Sequence, residues 1–473
     1  MDRISLLLFS SALLLGSCQG GTTNSPQTMV LQGATLFDGT GAAAVENSII
    51  IIEGDRITCA GTSDECDPPA DAEVINLSGK YITPGLIDAH VHFFQTGFFD
   101  SRPDALDLRD TYPFAEVTAN QKKNPQRYYD AYLCSGITGV YDVGGFTWSI
   151  DFQESAEKNP AAPHVAASGP LITPSTLDLF NLPSDKTLVH LDSEETGVTT
   201  VQYISELGGT GVKLWQLLQD DPDYMSYINA LADEAESRGN PLIAHATQLE
   251  QAKAAIEAGT KLLVHSVSDT EVDEEFLSLA SDNNVIYTPT LIVSSGYMLA
   301  YRAAAGIEPY EIYDPNHCVD PETRELLNNA SQFSDHDRFS EGFLQRLQAF
   351  DAEEDRVSST DLHNLQKVYE AGIPIAVGTD AGNPGTLHGI SIYDEMEAMQ
   401  QAGISSENLI VMATRNGAKA MQRADDFGTL EAGKLANLIV LEDDPSADIA
   451  NMRSLLYVMN RGNYEEVGDL GFR

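Results

Sequence analysis

The sequence predicts an α/β protein: a (β/α)8 TIM barrel carrying a small β-sandwich domain built from both chain ends. Three observations predict it. Through the middle of the chain, eight short β-rich apolar runs alternate with helix-length polar–apolar segments, the pattern of parallel strands and crossover helices. The flanking stretches, 30–84 and 425–473, read instead as short alternating strands broken by Gly and Asp turns, and neither is long enough to enclose a core alone. A length of 473 residues accommodates one large domain and one smaller one. An open doubly wound sheet is the alternative; eight strands favour the barrel.

In chain order, residues 1–17 read as a leader, with Arg3, an apolar run over 6–15, and Gly16-Ser17 immediately before Cys18. That run is too short to span a bilayer. Leu15-Gly16-Ser17-Cys18 resembles a bacterial lipobox, which implies cleavage before Cys18 and acylation of its sulfur. Gln19 then suggests a periplasmic, outer-membrane lipoprotein; a plain secretory leader is the alternative. Residues 18–29 form a polar tether. Strands are expected at 30–37, 47–52, 56–60 and 73–77, and again at 435–441 and 455–460, for the sandwich. The barrel, 85–424, takes its strands from runs at 82–93, 137–143, 164–168, 211–215, 241–246, 262–266, 285–291 and 374–379. The insertion 294–360 is too long for a simple crossover and is expected to fold as helices over one end. Export makes disulfides possible. Cys59 and Cys66 flank a Gly-Thr-Ser-Asp turn and are expected to pair across it, two free buried thiols being the alternative.

Chemistry is expected where the strands end, because active sites of such barrels lie at the carboxyl ends of the strands. The first run closes with Asp88-Ala89-His90-Val91-His92, where alternation sends His90 and His92 to one side. The fourth run ends at Lys213, the fifth at His245, the sixth at His265 and the eighth at Asp380. Taken singly, each has an ordinary reading: a hydrogen-bonded His, a helix-capping Asp, a snorkelling Lys. Coincidence overturns those readings, since four of the ten histidines fall at equivalent strand ends. His388, in the segment after the eighth run, is a candidate substrate contact, as are Thr247 and Tyr287. Mixed imidazole and carboxylate donors suit divalent metal, zinc first, with manganese, iron or cobalt as alternatives. An ammonium at Lys213 beside such an ion is repelled and costly to bury. A carbamate on Lys213, bridging two metal ions through its two oxygens, resolves the conflict.

These residues carry a family pattern. Through Ile82-Thr83-Pro84-Gly85-Leu86-Ile87-Asp88-Ala89-His90-Val91-His92, Val212-Lys213-Leu214-Trp215, Ala244-His245-Ala246, Val264-His265-Ser266, Thr288-Pro289-Thr290-Leu291 and Gly378-Thr379-Asp380-Ala381-Gly382, the chain resembles the amidohydrolase superfamily from residue 30 to its end. The resemblance implies hydrolysis of a carbon–nitrogen bond in a small amide-type substrate by a hydroxide activated between two divalent metals, most simply zinc. It implies His90, His92 and Asp380 on the more buried metal, His245 and His265 on the other, carboxylated Lys213 between them, and Asp380 as the catalytic proton carrier. The chain is similar to imidazolonepropionase-like and prolidase-like members. The former implies one metal and no bridging lysine, so Lys213 points to two. The peptidase branch implies a Tyr where Thr247 stands and a Gly-Gly-His where Gly169-Pro170-Leu171-Ile172-Thr173 stands. An ester, lactone or phosphoester substrate is a further reading. A periplasmic binding or scaffold protein on a decayed barrel is the non-enzyme alternative, and six filled ligand positions count against it.

With 71 acidic against 27 basic residues, the net charge is −44, which repels phosphate backbones and anionic lipid. The expected partners are therefore a small amide or peptide substrate, no nucleic acid, and a membrane only through the lipid anchor. Such acidity suits a salt-adapted source or simply an acidic bacterial protein. A homo-oligomer is expected from general tendency.

Overall fold

The computed structural model describes residues 28–352 and 354–472. The leader, Cys18 and the tether as far as residue 27 lie outside the described residues. No helix among those described is long and apolar enough to cross a membrane.

The parallel strands form two sheets. One contains Leu86–Val91, Ile137–Asp142 and His164–Ala167, in that order. The other runs Leu188–His190, Leu171–Thr173, Val212–Trp215, Leu242–His245, Thr260–Val264, Ile286–Thr288. Leu171–Thr173 and Leu188–His190 were not among the expected strands; at three residues each they carry no readable period. The segment expected as the eighth strand, 374–379, forms no ladder. It touches the two sheets through single bridges, Tyr287↔Ile375 and Val91↔Ala381. Backbone bonds accompany them, Ala376 N to Tyr287 O at 3.0 Å and Ala89 N to Val377 O at 2.9 Å. The expected closed ring is thus not one uninterrupted ladder. Pro374 has no N–H to give, and Asp380 turns into the left-handed region at φ 58°, which ends regular pairing.

The first expected strand, 82–93, is in fact two. Tyr81–Pro84 pairs with Leu438–Leu441 in a different sheet, and Leu86–Val91 begins the parallel one. Gly85 is the junction, because a Cβ there would lie 2.3 Å from the Thr138 hydroxyl. Only glycine permits that approach of backbone to side chain.

The chain ends form two further sheets. One has the order Arg56–Gly61, Ile49–Glu53, Thr28–Gln32, Glu73–Asn76; the other Asn463–Glu466, Leu455–Asn460, Leu438–Leu441, Tyr81–Pro84, Thr35–Leu36. Leu31, Ile50 and Ile52 of the first share one buried cluster with Ile82, Leu438, Val440 and Met459 of the second. Alternation on each strand directs these residues to a common side.

The long insertion folds as helices, Val293–Ala304, Pro321–Asn328 and Glu341–Ala349. Pro321 opens its helix at a position where a missing N–H costs nothing, and Asp320 caps it by accepting from Thr323 N at 2.9 Å. Among the described residues two disulfides are present, Cys59–Cys66 and Cys134–Cys318. The second, with no pairing expected from the sequence, ties the end of helix Gln126–Cys134 to the insertion. In the chain-entropy account, loops of 7 and 184 residues give about 2 and about 5 kcal/mol. Thermal melts should therefore show a larger loss for the Cys134→Ser/Cys318→Ser pair than for Cys59→Ser/Cys66→Ser; the reverse order would reject that account.

Candidate metal centre

Side chains from four strand ends and from the turn after segment 374–379 meet at one place. His90 Nε2 lies 3.3 Å from His92 Nε2 and 3.3 Å from Asp380 Oδ1, and His92 Nε2 lies 2.9 Å from the same oxygen. The His265 ring is 5.0 Å from that of His90 and 4.3 Å from that of His245, centroid to centroid. Ligand atoms of His90, His265 and Asp380 all fall within 4.8 Å of one another. Lys213, 1% exposed, projects from the strand Val212–Trp215 beside them.

Protonation states follow from burial. Desolvation, reinforced by the Lys213 charge and neighbouring rings, holds His90 well below the ordinary imidazole range. His265 is depressed likewise by desolvation, then by His245 and Lys213. Burial and Lys213 bring His245 down to about 4. Burial brings the Lys213 amine down to about 7, with Asp380 opposing. The three imidazoles are held neutral with lone pairs available, and the Lys213 amine loses its proton far more readily than an exposed lysine.

His92 decides what the cluster fits. Its Nδ1 lies 2.6 Å from the Gly144 carbonyl, which only accepts, so Nδ1 carries a proton and the neutral ring presents its lone pair at Nε2. That lone pair stands 2.9 Å from Asp380 Oδ1, a buried oxygen that receives no hydrogen bond. In the neutral ring that lone pair and the carboxylate oxygen repel unless a cation, a proton or a metal ion, lies between them. Donor atoms about 3 Å apart are also those that share one ion at about 2.1 Å. The residues present fit divalent metal.

Three buried groups hold these ligands in place. Asp88 accepts from Thr379 N at 3.0 Å, Thr379 Oγ1 at 2.6 Å and His90 N at 3.2 Å, joining the first strand to the turn that carries Asp380. Asp142, at the end of the second strand, accepts from Gly144 N at 3.1 Å and so fixes the carbonyl that orients His92. Thr290 Oγ1 lies 2.7 Å from His265 Nδ1. Its loop is pinned by buried Glu395, which accepts from Leu291 N at 2.9 Å and Ile292 N at 3.1 Å. His265, Thr290 and Asp380 all have positive φ, at 75°, 49° and 58°, each a strain of about 1–3 kcal/mol that the surroundings must hold. Sequence reasoning assigned none of these supporting roles. Asp142 had a signal, since it is the polar residue ending its run; Glu395, inside the helix Ser391–Gln400, had none.

The cluster lies at the base of a cleft of about 390 Å³, lined by His92, Lys213, His245, His265 and Asp380 and by Thr247. Phe94, Leu171, Phe180, Trp215 and Leu291 make an apolar wall, and Arg102 and Tyr297 a polar one. Two expected substrate contacts are corrected. His388 does not line the cleft; its Nδ1 meets the Tyr132 hydroxyl at 2.6 Å and its Nε2 the Gln95 carbonyl at 2.9 Å, so both nitrogens are engaged behind the wall. Tyr287 is 1% exposed and its hydroxyl accepts from Val267 N at 3.1 Å, within the core.

Residues 81–463 match the Amidohydrolase family. The chain belongs to that family. The imidazolonepropionase of Geobacillus sp. (strain WCH70) is 25% identical over 444 residues, spanning 87% of this chain and 86% of its own. That of Caulobacter vibrioides (strain NA1000 / CB15N) is 24% identical over 450 residues, spanning 88% and 93%. A solved Xaa-Pro dipeptidase with bound methionine in its active site is similar with a TM-score of 0.67 at 23% identity, covering 93% of this chain and 100% of that one. Ochratoxinase of A. niger is similar with a TM-score of 0.67 at 19% identity, covering 94% and 96%. These structural likenesses show a shared fold. This amidohydrolase is a metal-dependent hydrolase acting on carbon–nitrogen bonds.

Glu395 provides a pH test of the support under Thr290. Burial pushes its carboxyl up to about 8 from a model-compound value of 4.5. Between those values the folded state holds a proton that the unfolded state has lost, so stability falls as pH rises through the window. Melting temperature should decline across that range in the native chain, and Glu395→Gln should flatten the slope; an unchanged slope would remove Glu395 as its source.

Proposed function

We propose that this amidohydrolase cleaves an amide-type bond in a small, partly apolar substrate at a two-metal centre, with zinc the natural occupant. The single observation that carries the reading is the convergence of imidazole nitrogens on Asp380 Oδ1. In this proposal His90, His92 and Asp380 would hold the more buried ion and His245 and His265 the other, with a carbamate on Lys213 as their shared ligand. A Lys213 amine brought down to about 7 by burial supports the carbamate, since only the neutral amine takes up carbon dioxide. Ions held there supply Lewis acidity and a nucleophile at neutral pH.

The protein's own groups do the rest. Asp380 is the one carboxylate in the cluster, and it takes the proton of the attacking water and passes it to the departing nitrogen. The Asp88 bonds to Thr379 keep Asp380 turned inward for that transfer. The apolar wall of the cleft excludes water and takes the substrate's non-polar part. Imidazolonepropionase-like cyclic amides and dipeptides are the substrate classes proposed, drawn from the named relatives and structural neighbours.

We extend the proposal to organisation and location. The two parallel sheets with segment 374–381 would be the wall of a (β/α)8 barrel over 85–424, and the two chain-end sheets a β-sandwich domain over 30–84 and 425–473. Two disulfides support an oxidising compartment, in keeping with a lipoprotein anchored through Cys18.

The zinc-loaded full chain, screened against dipeptides, N-acyl amino acids and cyclic amides, should turn over at least one class and lose that activity on chelation. Atomic absorption should find two zinc ions per chain; none would reject the centre. Asp380→Asn should cut kcat by about a thousandfold or more while much of the metal stays bound, and near-native turnover by the metal-loaded variant would refute the role of Asp380. Lys213→Ala should lower the zinc content, with intact-mass loss of the carbamate; unchanged zinc would end the bridging assignment.

A further inference from the structure

Among the described residues, nine other than glycine have φ in the left-handed region. Four of them line the cleft, namely His265, Thr290, Asp380 and Gln216. His265 and Asp380 belong to the donor cluster, and Thr290 orients His265. Gln216, at φ 67°, does neither. It is exposed, and its carboxamide makes no hydrogen bond to any described residue. A side chain held in a sparsely populated conformation at a ligand cleft, with donor and acceptor both unspent, points to a ligand contact.

What the turn achieves is geometric. Lys213 and Trp215 project to one side of the strand Val212–Trp215, and regular alternation would send residue 216 to the other. The left-handed turn at Gln216 interrupts that alternation, so Trp215 and Gln216 line the cleft in succession. Trp215 stands opposite His245 in the parallel ladder, which places the pair beside the donor cluster. Trp215 is half-buried, and Leu171 and Phe180 continue the apolar wall of which it is part. A flat ring next to a free carboxamide suits a flat group that carries a donor and an acceptor in its own plane.

We propose that Gln216 is a substrate-binding residue that selects a planar amide edge, an N–H donor beside a C=O acceptor, on the part of the substrate lying against Trp215. The carboxamide meets such an edge by donating through Nε2 and accepting through Oε1. A primary carboxamide or a ring amide presents both groups on one edge, whereas a trans peptide points them in opposite directions. A mismatched ligand leaves one group of the pair without a partner, which is how a polar contact discriminates strongly. The proposal rests on the hydrolytic reading for the ligand's being the substrate, and within that reading it favours ring amides and primary amides over linear dipeptides.

Fluorescence titration of the zinc-loaded full chain tests it without turnover, because Trp215 is one of two tryptophans and the other, Trp148, is buried. Benzamide should quench the emission saturably and bind about fivefold tighter than N-methylbenzamide, which is the trans amide of the same ring. Gln216→Leu should raise the Kd of benzamide about fivefold and leave that of N-methylbenzamide within about twofold. Gln216→Gly should lose the same preference while its melting temperature rises, since glycine adopts the left-handed region without cost. A native chain that binds both probes alike, equal losses for both probes in Gln216→Leu, or a lower melting temperature in Gln216→Gly would each overturn the assignment. A chain that shows the expected preferences yet hydrolyses no amide would uphold the contact and reject the reaction, so the two failures are distinct.

Discussion

Neutral bases packed around one carboxylate are the constraint on which the rest of the structure depends. Four imidazoles lie ring against ring, His90 and His92 buried and His245 and His265 half-buried, with the buried Lys213 amine in the same cluster. A proton on His90, His245 or His265 is opposed both by desolvation and by the neighbouring bases. The cluster therefore presents lone pairs, and Asp380 offers the negative charge. Such an arrangement is unfavourable on its own and favourable around a divalent ion, so folding and metal binding are coupled at this point.

The surrounding architecture can be understood as what keeps that cluster together. Leu86–Val91 with His92 just after it, and segment 374–381, carry three of the donors, and they are joined less by a continuous ladder than by the Asp88 carboxylate. His92 is aimed by a carbonyl and His265 by a hydroxyl, each anchored by a buried acid further out. Positive φ at His265, Thr290 and Asp380 shows the backbone held in sparsely populated conformations where function needs it. Polar groups around the ligands thus fix orientation and tautomer before any ion arrives.

Much of this was legible in the sequence because it rests on period and position. Strand-end residues His90, His92, Lys213, His245, His265 and Asp380 could be picked out since alternation along a strand is fixed by the backbone. The helices of the insertion followed from its length, too great for a simple crossover. What the sequence did not show depends on three-dimensional approach. The break at Gly85 arises from a single close contact with Thr138, which has no periodic signature. His388 looked available because it follows Asp380 closely, yet Tyr132, distant in sequence, occupies one of its nitrogens. Glu395 reaches Leu291 and Ile292 across about a hundred residues of chain, a relation that only packing creates.

The bond between Cys134 and Cys318 has a consequence for how the molecule ages outside a cell. It fastens the insertion that approaches the cleft to a helix beside the second parallel strand. A protease that nicks the exposed stretch between helices Val293–Ala304 and Pro321–Asn328 ahead of Cys318 would leave two pieces that stay stapled together. Such a clipped molecule would travel as one species until a reductant released the halves.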